Sequence, residues 1–166
     1  MESKPKVILI DGSGYIFRAF YAISRLSTSK GLPTNAVFGF INMLMKVLDL
    51  EKPEHLAIAF DTPKPTFRKI RYPEYKSNRL APPYYLIIQI PYIRRAVKAF
   101  GICELIQEGF EADDLLGTVA RSAEKEGYSV DIITGDKDLM QLVNKDVQLY
   151  DSMKERRYDE AGVREK

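Results

Sequence analysis

The stretch Lys6-Val7-Ile8-Leu9-Ile10-Asp11-Gly12-Ser13-Gly14 decides the fold. Lys6 to Ile10 reads as a short β-branched and apolar run. Successive strand residues point to opposite faces of a sheet, so a run that is apolar on both suits a central parallel strand. The run ends in Asp11. A helical pattern follows from about Ser13 to Ser24, with Tyr15, Phe17, Ala19, Phe20 and Ile23 as its apolar members.

The same alternation continues along the chain. Arg25 to Thr34 reads as a loop, and Asn35 as a cap for a helix running to about Leu50. Its apolar members are Val37, Phe38, Ile41, Leu44, Met45 and Leu48. Leu56 to Phe60 is a second strand, ending in Asp61. A helix is expected from Pro83 to Phe100, then a strand at Ile102 to Ile106. Glu111 to Glu126 forms a helix stopped by Gly127. Ser129 to Thr134 is a strand leading into Gly135-Asp136. A short helix at Lys137 to Val143 and a strand at Val147 to Tyr150 complete the pattern. The result is an α/β fold with a mainly parallel sheet and helices on both faces.

Composition limits the alternatives. The 166 residues make one domain, and 45% are hydrophobic, enough for a substantial core. The single cysteine, Cys103, excludes an internal disulfide and fits a reducing, cytoplasmic setting. Its apolar surroundings predict a buried thiol. The single histidine, His55, excludes a His-rich metal site and reads as a strand-edge residue. No apolar run approaches the roughly 20 residues of a membrane span. Met1-Glu2-Ser3-Lys4 leads straight into the first strand without a signal peptide.

The chemistry lies in the carboxylates. Asp11, Asp61 and Asp136 fall at or just after the C-terminal ends of expected strands, which share one edge in an open parallel sheet. Glu111, Asp113 and Asp114 open a helix after another strand, and Asp138 lies two residues beyond Asp136. Singly, each has an ordinary explanation as a turn residue or helix cap. Together, seven acids directed at one edge repel one another and require a hard cation. Oxygen-only ligation suits Mg²⁺ or Mn²⁺ and excludes a typical Zn²⁺ site. Such a cage fits two-metal phosphodiester hydrolysis. Gly12-Ser13-Gly14 lacks the lysine and length of a phosphate-binding P-loop and the spacing of a dinucleotide loop. Gly12 instead reads as a place where backbone approaches the acidic edge.

Net charge is only +2, but its distribution is uneven. Between Thr62 and Leu80, six basic residues face Glu74 alone, a balance of +5. Pro63, Pro65 and Pro73 make this segment mostly non-helical. Basic side chains interleaved with Phe67, Tyr72 and Tyr75 are the composition of a single-strand nucleic-acid contact, or of a solvated loop.

Several motifs, in order, resemble one family. Leu9-Ile10-Asp11-Gly12-Ser13, with Arg18, Ala19 and Tyr21, is similar to the opening of the 5′ nucleases of bacterial DNA polymerase I type. So are Ala59-Phe60-Asp61, Thr66-Phe67-Arg68 and Tyr75-Lys76-Ser77-Asn78-Arg79. Glu111-Ala112-Asp113-Asp114 and Thr134-Gly135-Asp136-Lys137-Asp138 complete the set. The resemblance implies a PIN-like α/β/α fold, Mg²⁺ or Mn²⁺, and cleavage of DNA or RNA near 5′ ends and flaps. It makes Asp11, Asp61, Glu111, Asp113, Asp114, Asp136 and Asp138 acids of the metal site. It places Phe67, Arg68, Tyr75, Lys76 and Arg79 on an arch, about residues 62–82, that receives the single-stranded 5′ end. Arg18 is a further DNA-contacting residue by the same resemblance.

Two departures from the family are expected to matter. The family continues into a helix-hairpin-helix region with further aspartates, which the 166 residues do not include, so a truncated and weakly active nuclease is expected. Second, the family places acids after the arch, where this chain has Tyr84-Tyr85-Leu86-Ile87-Ile88. On one continuous helix, Leu86, Ile90, Ile93, Val97 and Phe100 form the core stripe. Tyr84 and Ile88 then point outward, with Tyr85 and Ile87 on the flanks. That composition is an interface centre. The alternative reading is therefore a nuclease-derived scaffold, engineered to bind a protein partner or to self-associate through Tyr84, Tyr85, Ile87 and Ile88. A third is a nucleotide- or phosphate-binding α/β protein without catalysis.

Overall fold

The computed structural model describes residues 4–166. Met1, Glu2 and Ser3, read above as a lead-in without a signal peptide, lie outside the described residues. The order is β1 (Lys6–Asp11), α1 (Gly12–Ala22), α2 (Asn35–Glu51), β2 (His55–Ala59), α3 (Phe67–Arg71), α4 (Tyr84–Ile87) and α5 (Ile90–Ala99). Then follow β3 (Cys103–Leu105), α6 (Ala112–Lys125), β4 (Ser129–Ile133), a 3-10 helix (Lys137–Leu142), β5 (Val147–Asp151), β6 (Arg156–Tyr158) and α7 (Glu160–Arg164).

The six strands form one sheet in the order β3-β2-β1-β4-β5-β6, all parallel except β6. The α/β/α architecture is as expected, and period-two alternation in β1 builds it. Ile8 and Ile10 point into a core with Tyr15 and Ala19 of α1, Phe40 and Leu44 of α2, and Ile93 and Val97 of α5. Leu9, between them, points into a second core with Leu116 and Ala120 of α6 and Leu149 of β5. Both faces of β1 are therefore dry, which is why the run contains no polar alternation.

The chain leaves β1 towards β2 and β3 on one side, then returns to lay β4 and β5 on the other. The reversal falls between β1 and β4. The connections that leave their C-terminal ends pass to opposite faces of the sheet and open the crevice in which α/β folds bind ligands.

Several local expectations are corrected. Pro83 to Phe100 is not one helix. It breaks at Ile88 and Gln89, because Pro91, near the start of α5, has no N–H to donate to the Ile87 carbonyl. Gln89 is wholly buried at the break. The break shifts the helical phase: Leu86, Ile93 and Val97 are in the core, but Phe100 is 45% exposed. Tyr84, Tyr85 and Ile87 are exposed as expected, whereas Ile88 is half-buried.

Cys103 is exposed at the edge strand β3, not buried. Phe17, Phe38 and Met45 also face outward, and Ala36, Phe40 and Val47 take core places in α2. Asn35 does not cap α2 with its side chain. Its Nδ2 instead donates to the Phe20 and Ile23 carbonyls at the end of α1. The basic segment contains the short helix α3 before a run of turns. β6 and α7 have no counterpart in the sequence reading. Among the described residues no helix is long and apolar enough to cross a membrane.

Candidate functional site

Asp11 is the last residue of β1 and caps α1 in the same step. Its Oδ1 accepts a 2.8 Å hydrogen bond from the Gly14 N–H. Across the strand reversal, the Thr134 hydroxyl donates to its Oδ2 at 2.9 Å. That hydroxyl in turn accepts the Asp136 N–H at 3.0 Å, and Asp136 Oδ1 accepts the Asp138 N–H at 2.9 Å. The loop after β4 is thus wound onto the end of β1 by a chain of short-range bonds.

Asp61 arrives from the next strand. Its backbone N–H is held by the Ser13 hydroxyl at 2.9 Å, and its Oδ1 accepts the Ala112 N–H at 2.8 Å. One carboxylate therefore caps the first turn of α6 and sets it against β2. The same turn delivers Asp113 to the crevice.

Electrostatics identify which acids meet. Burial pushes the Asp11 carboxyl up from its ordinary range, and the charges of Asp61 and Asp136 push the same way, against the bonds from Gly14 and Thr134. Asp113 is pushed up to about 6, first by burial, then by Asp11, Asp136 and Asp61. These four aspartates form the cluster. Among the described residues, no three acids already converge as a finished cation cage. By donor type the four could hold only a hard cation: they offer oxygen donors, repel one another, and are joined by neither histidine nor cysteine.

Glu111 and Asp114 turn elsewhere. Glu111 accepts from Lys76 Nζ at 2.8 Å and from the Tyr75 hydroxyl at 3.1 Å. Asp114 receives both Arg68 guanidinium nitrogens, at 2.6 and 2.7 Å. The hydrogen bonds from Arg68 hold the Asp114 carboxyl below its ordinary range. Asp138 is exposed at the rim. An open groove of about 810 Å³ runs from Asp113 and Asp138 along α6, past Arg68 and Tyr75, to Arg121 and Lys125.

The basic residues divide as well. Lys76 and Arg68 are engaged by the acids, while Arg79 stays exposed on the turns of the arch. Phe67 is 42% exposed and packs against Phe110 with the two rings tilted by 55°. Arg18 lies behind the cluster: Nη1 is 3.5 Å from Asp151, and Nη2 is packed so close to Gly135 that a Cβ there would sit 1.5 Å away. Gly12 makes its close approach to β2, because a Cβ would meet Ile58 and Phe60 at 2.6 and 2.5 Å. Thr134 and Ser13, which organise the aspartates, stand inside the motifs quoted above but were not singled out. Their neighbours Asp11 and Asp61 are the signal that points to them.

The family of the 5′-3′ exonuclease, N-terminal resolvase-like domain matches residues 6–166. DNA polymerase I of Rhizobium leguminosarum is 48% identical over 174 residues, covering 100% of this chain and 17% of the relative. DNA polymerase I of Bacillus subtilis is 47% identical over 142 residues, covering 86% and 16%. The chain therefore spans only a small part of these relatives. Among solved structures, the T5 D15 protein co-crystallised with metal ions superposes with a TM-score of 0.71 at 20% identity, over 93% of this chain and 58% of that one. The catalytic core of Rad2 in complex with DNA substrate gives 0.58 at 17% identity, over 98% and 50%. At those identities the likeness is one of fold. The sequence matches carry more: the chain belongs to the 5′-3′ exonuclease N-terminal, resolvase-like domain family.

Proposed function

We propose that the chain is the metal-binding core of a 5′ nuclease that hydrolyses phosphodiester bonds of DNA near 5′ ends or flaps. One observation carries this reading. Asp11, Asp61, Asp113 and Asp136 crowd one crevice at the strand reversal, and their hydrogen bonds come from backbone N–H groups and one hydroxyl, not from basic side chains. Four carboxylates whose charges oppose one another, with Lys76 reaching Asp113 as a partial counter-charge, suit a hard cation.

Mg²⁺ or Mn²⁺ fits these donors, and when bound would supply a water nucleophile and charge stabilisation at the leaving oxygen. Asp11, Asp61, Asp113 and Asp136 would hold it, with Asp138 at the rim available through water. The chain's own part is positioning. Gly14 and Thr134 fix the two oxygens of Asp11, and Ala112 fixes Asp61, so the donors lose little freedom when they engage a cation. The arch contributes the exposed Arg79 for phosphate oxygens and Tyr75 as a stacking surface, with Lys76 beside them held by Glu111 and available to phosphate only on leaving it. The T5 5′-exonuclease has been solved with divalent metal ions and a T5 flap endonuclease variant with DNA and metal ions, which supports the same reading here.

The test pairs calorimetric titration with Mn²⁺ and incubation with labelled 5′-flap DNA, each beside Asp113→Ala. Metal binding and metal-dependent cleavage are expected in the parent, both lost in the variant. Absence of Mn²⁺ binding at millimolar concentration overturns the reading.

A further inference from the structure

Three contacts fasten the first turn of the arch to the loop before α6 and to the first turn of α6. The Phe67 N–H donates to the Gly109 carbonyl at 2.8 Å. The Phe67 ring packs against Phe110, centroids 5.6 Å apart. Arg68 Nη1 and Nη2 donate to Asp114 Oδ2 and Oδ1 at 2.7 and 2.6 Å, with the guanidinium 4.6 Å above the Phe67 ring centre.

Both oxygens of Asp114 are engaged by this arrangement. Its Oδ2 also accepts the Glu111 N–H at 2.9 Å, completing the capping box of α6. Asp113 and Asp114 are adjacent, but about 100° apart around a helix. That rotation aims Asp113 at Asp11, Asp61 and Asp136, and Asp114 at the arch. A cation approaching Asp114 would have to displace a bidentate guanidinium, one of the stronger charge-assisted pairs, and would sit beside its positive charge.

We propose that Asp114 is a positioning residue and not a cation ligand: with Arg68 it forms a latch that fixes the arch on α6. The latch sets where Tyr75 and Lys76 stand over Glu111, three residues before Asp114. Arg68 is by the same argument committed to the protein and does not serve as a free phosphate contact. The metal half of this inference rests on the four-aspartate reading above; the latch half does not.

The experiment compares the parent with Asp114→Asn, which keeps an oxygen to accept the Glu111 N–H, with Arg68→Met, with the double variant, and with Asp113→Asn. Two readouts are taken on the intact chain. Hydrogen exchange of the Ile70 and Tyr72 amides, bonded to Thr66 and Arg68, reports the arch. Amides of Ile132 and Leu149 in the sheet report whether the fold is intact. Exchange at the arch is expected to quicken about tenfold in each single variant and no further in the double, with the sheet unchanged. Mn²⁺ affinity is expected to change less than about threefold in Asp114→Asn, and to fall at least about tenfold in Asp113→Asn. An Asp114→Asn loss of Mn²⁺ equal to that of Asp113→Asn makes Asp114 a ligand and overturns the proposal. Arch exchange unchanged in Asp114→Asn removes the latch. A parent that binds no Mn²⁺ defeats the metal reading, while the exchange data still decide the latch.

Discussion

The Thr134 hydroxyl donates to Asp11 across the boundary between β4 and β1 and accepts the N–H of Asp136 on its other side. One buried side chain thus sets the spacing of two of the four clustered aspartates. Thr134→Val keeps the shape and removes both bonds. It leaves a buried carboxylate oxygen and a backbone N–H unpaired, at a cost of roughly 1–3 kcal/mol. Urea unfolding should register that loss, and Mn²⁺ titration should show weaker binding, because Asp11 then ionises less readily.

The cluster predicts an inverted pH dependence for one acid. Asp113 titrates at about 6 in the folded chain, above its ordinary value of 3.8. The folded state therefore holds this proton more tightly. The associated stability is fully present below pH 3.8 and disappears as pH rises through about 6. In metal-free buffer at pH 7.5, Asp113→Asn should be the more stable protein by about 1 kcal/mol, a figure already reduced for solvent screening of this half-exposed group. The advantage should vanish in melts at pH 4. Adding Mg²⁺ at pH 7.5 should narrow or reverse it, since the parent gains more ligation energy than the variant.

Gly135 is required by its neighbour. A Cβ there would meet Arg18 Nη2 at 1.5 Å, so Gly135→Ala must push the guanidinium away from Asp151. Because the obstacle is the end of a flexible side chain, the expected cost is about 1 kcal/mol and not the several of a backbone clash. Removing the obstacle should remove the cost: in an Arg18→Ala background the same substitution should be close to neutral, as a double-mutant cycle by urea unfolding would show.

Gln89 fills the break between α4 and α5 with a network. Its Oε1 accepts the N–H groups of Ala36 and Val37 at the start of α2, and its Nε2 donates to Asn35 and to the Tyr85 carbonyl. Gln89→Leu should cost roughly 2–4 kcal/mol, since it leaves several buried groups without partners. Asn35→Ala should cost less than additively in the same background. Tyr84→Asp, a few residues away but 70% exposed, should shift the midpoint little.

The layers of this protein follow from sequence because they depend on local period. The apolar run of β1, the termination of α6 at Gly127 and the position of Asp11, Asp61 and Asp136 after strands need only two-residue and 3.6-residue repeats to be read. The convergence of acids on one sheet edge follows from parallel strands alone. What the sequence leaves open is which way a side chain turns once its neighbours arrive. Asp113 and Asp114 are equivalent in sequence. Arg68, 46 residues away from Asp114 along the chain, separates their roles by pairing with only one of them. Likewise, Pro91 breaks a helix whose apolar stripe continues unbroken, and the short strand β6 brings Arg157 to the buried Asp131, which Lys6 also reaches. For Asp114 and Asp131 the deciding contact joins residues distant in the chain, whereas the Pro91 break is local. Periodicity cannot carry that information, and close packing must supply it.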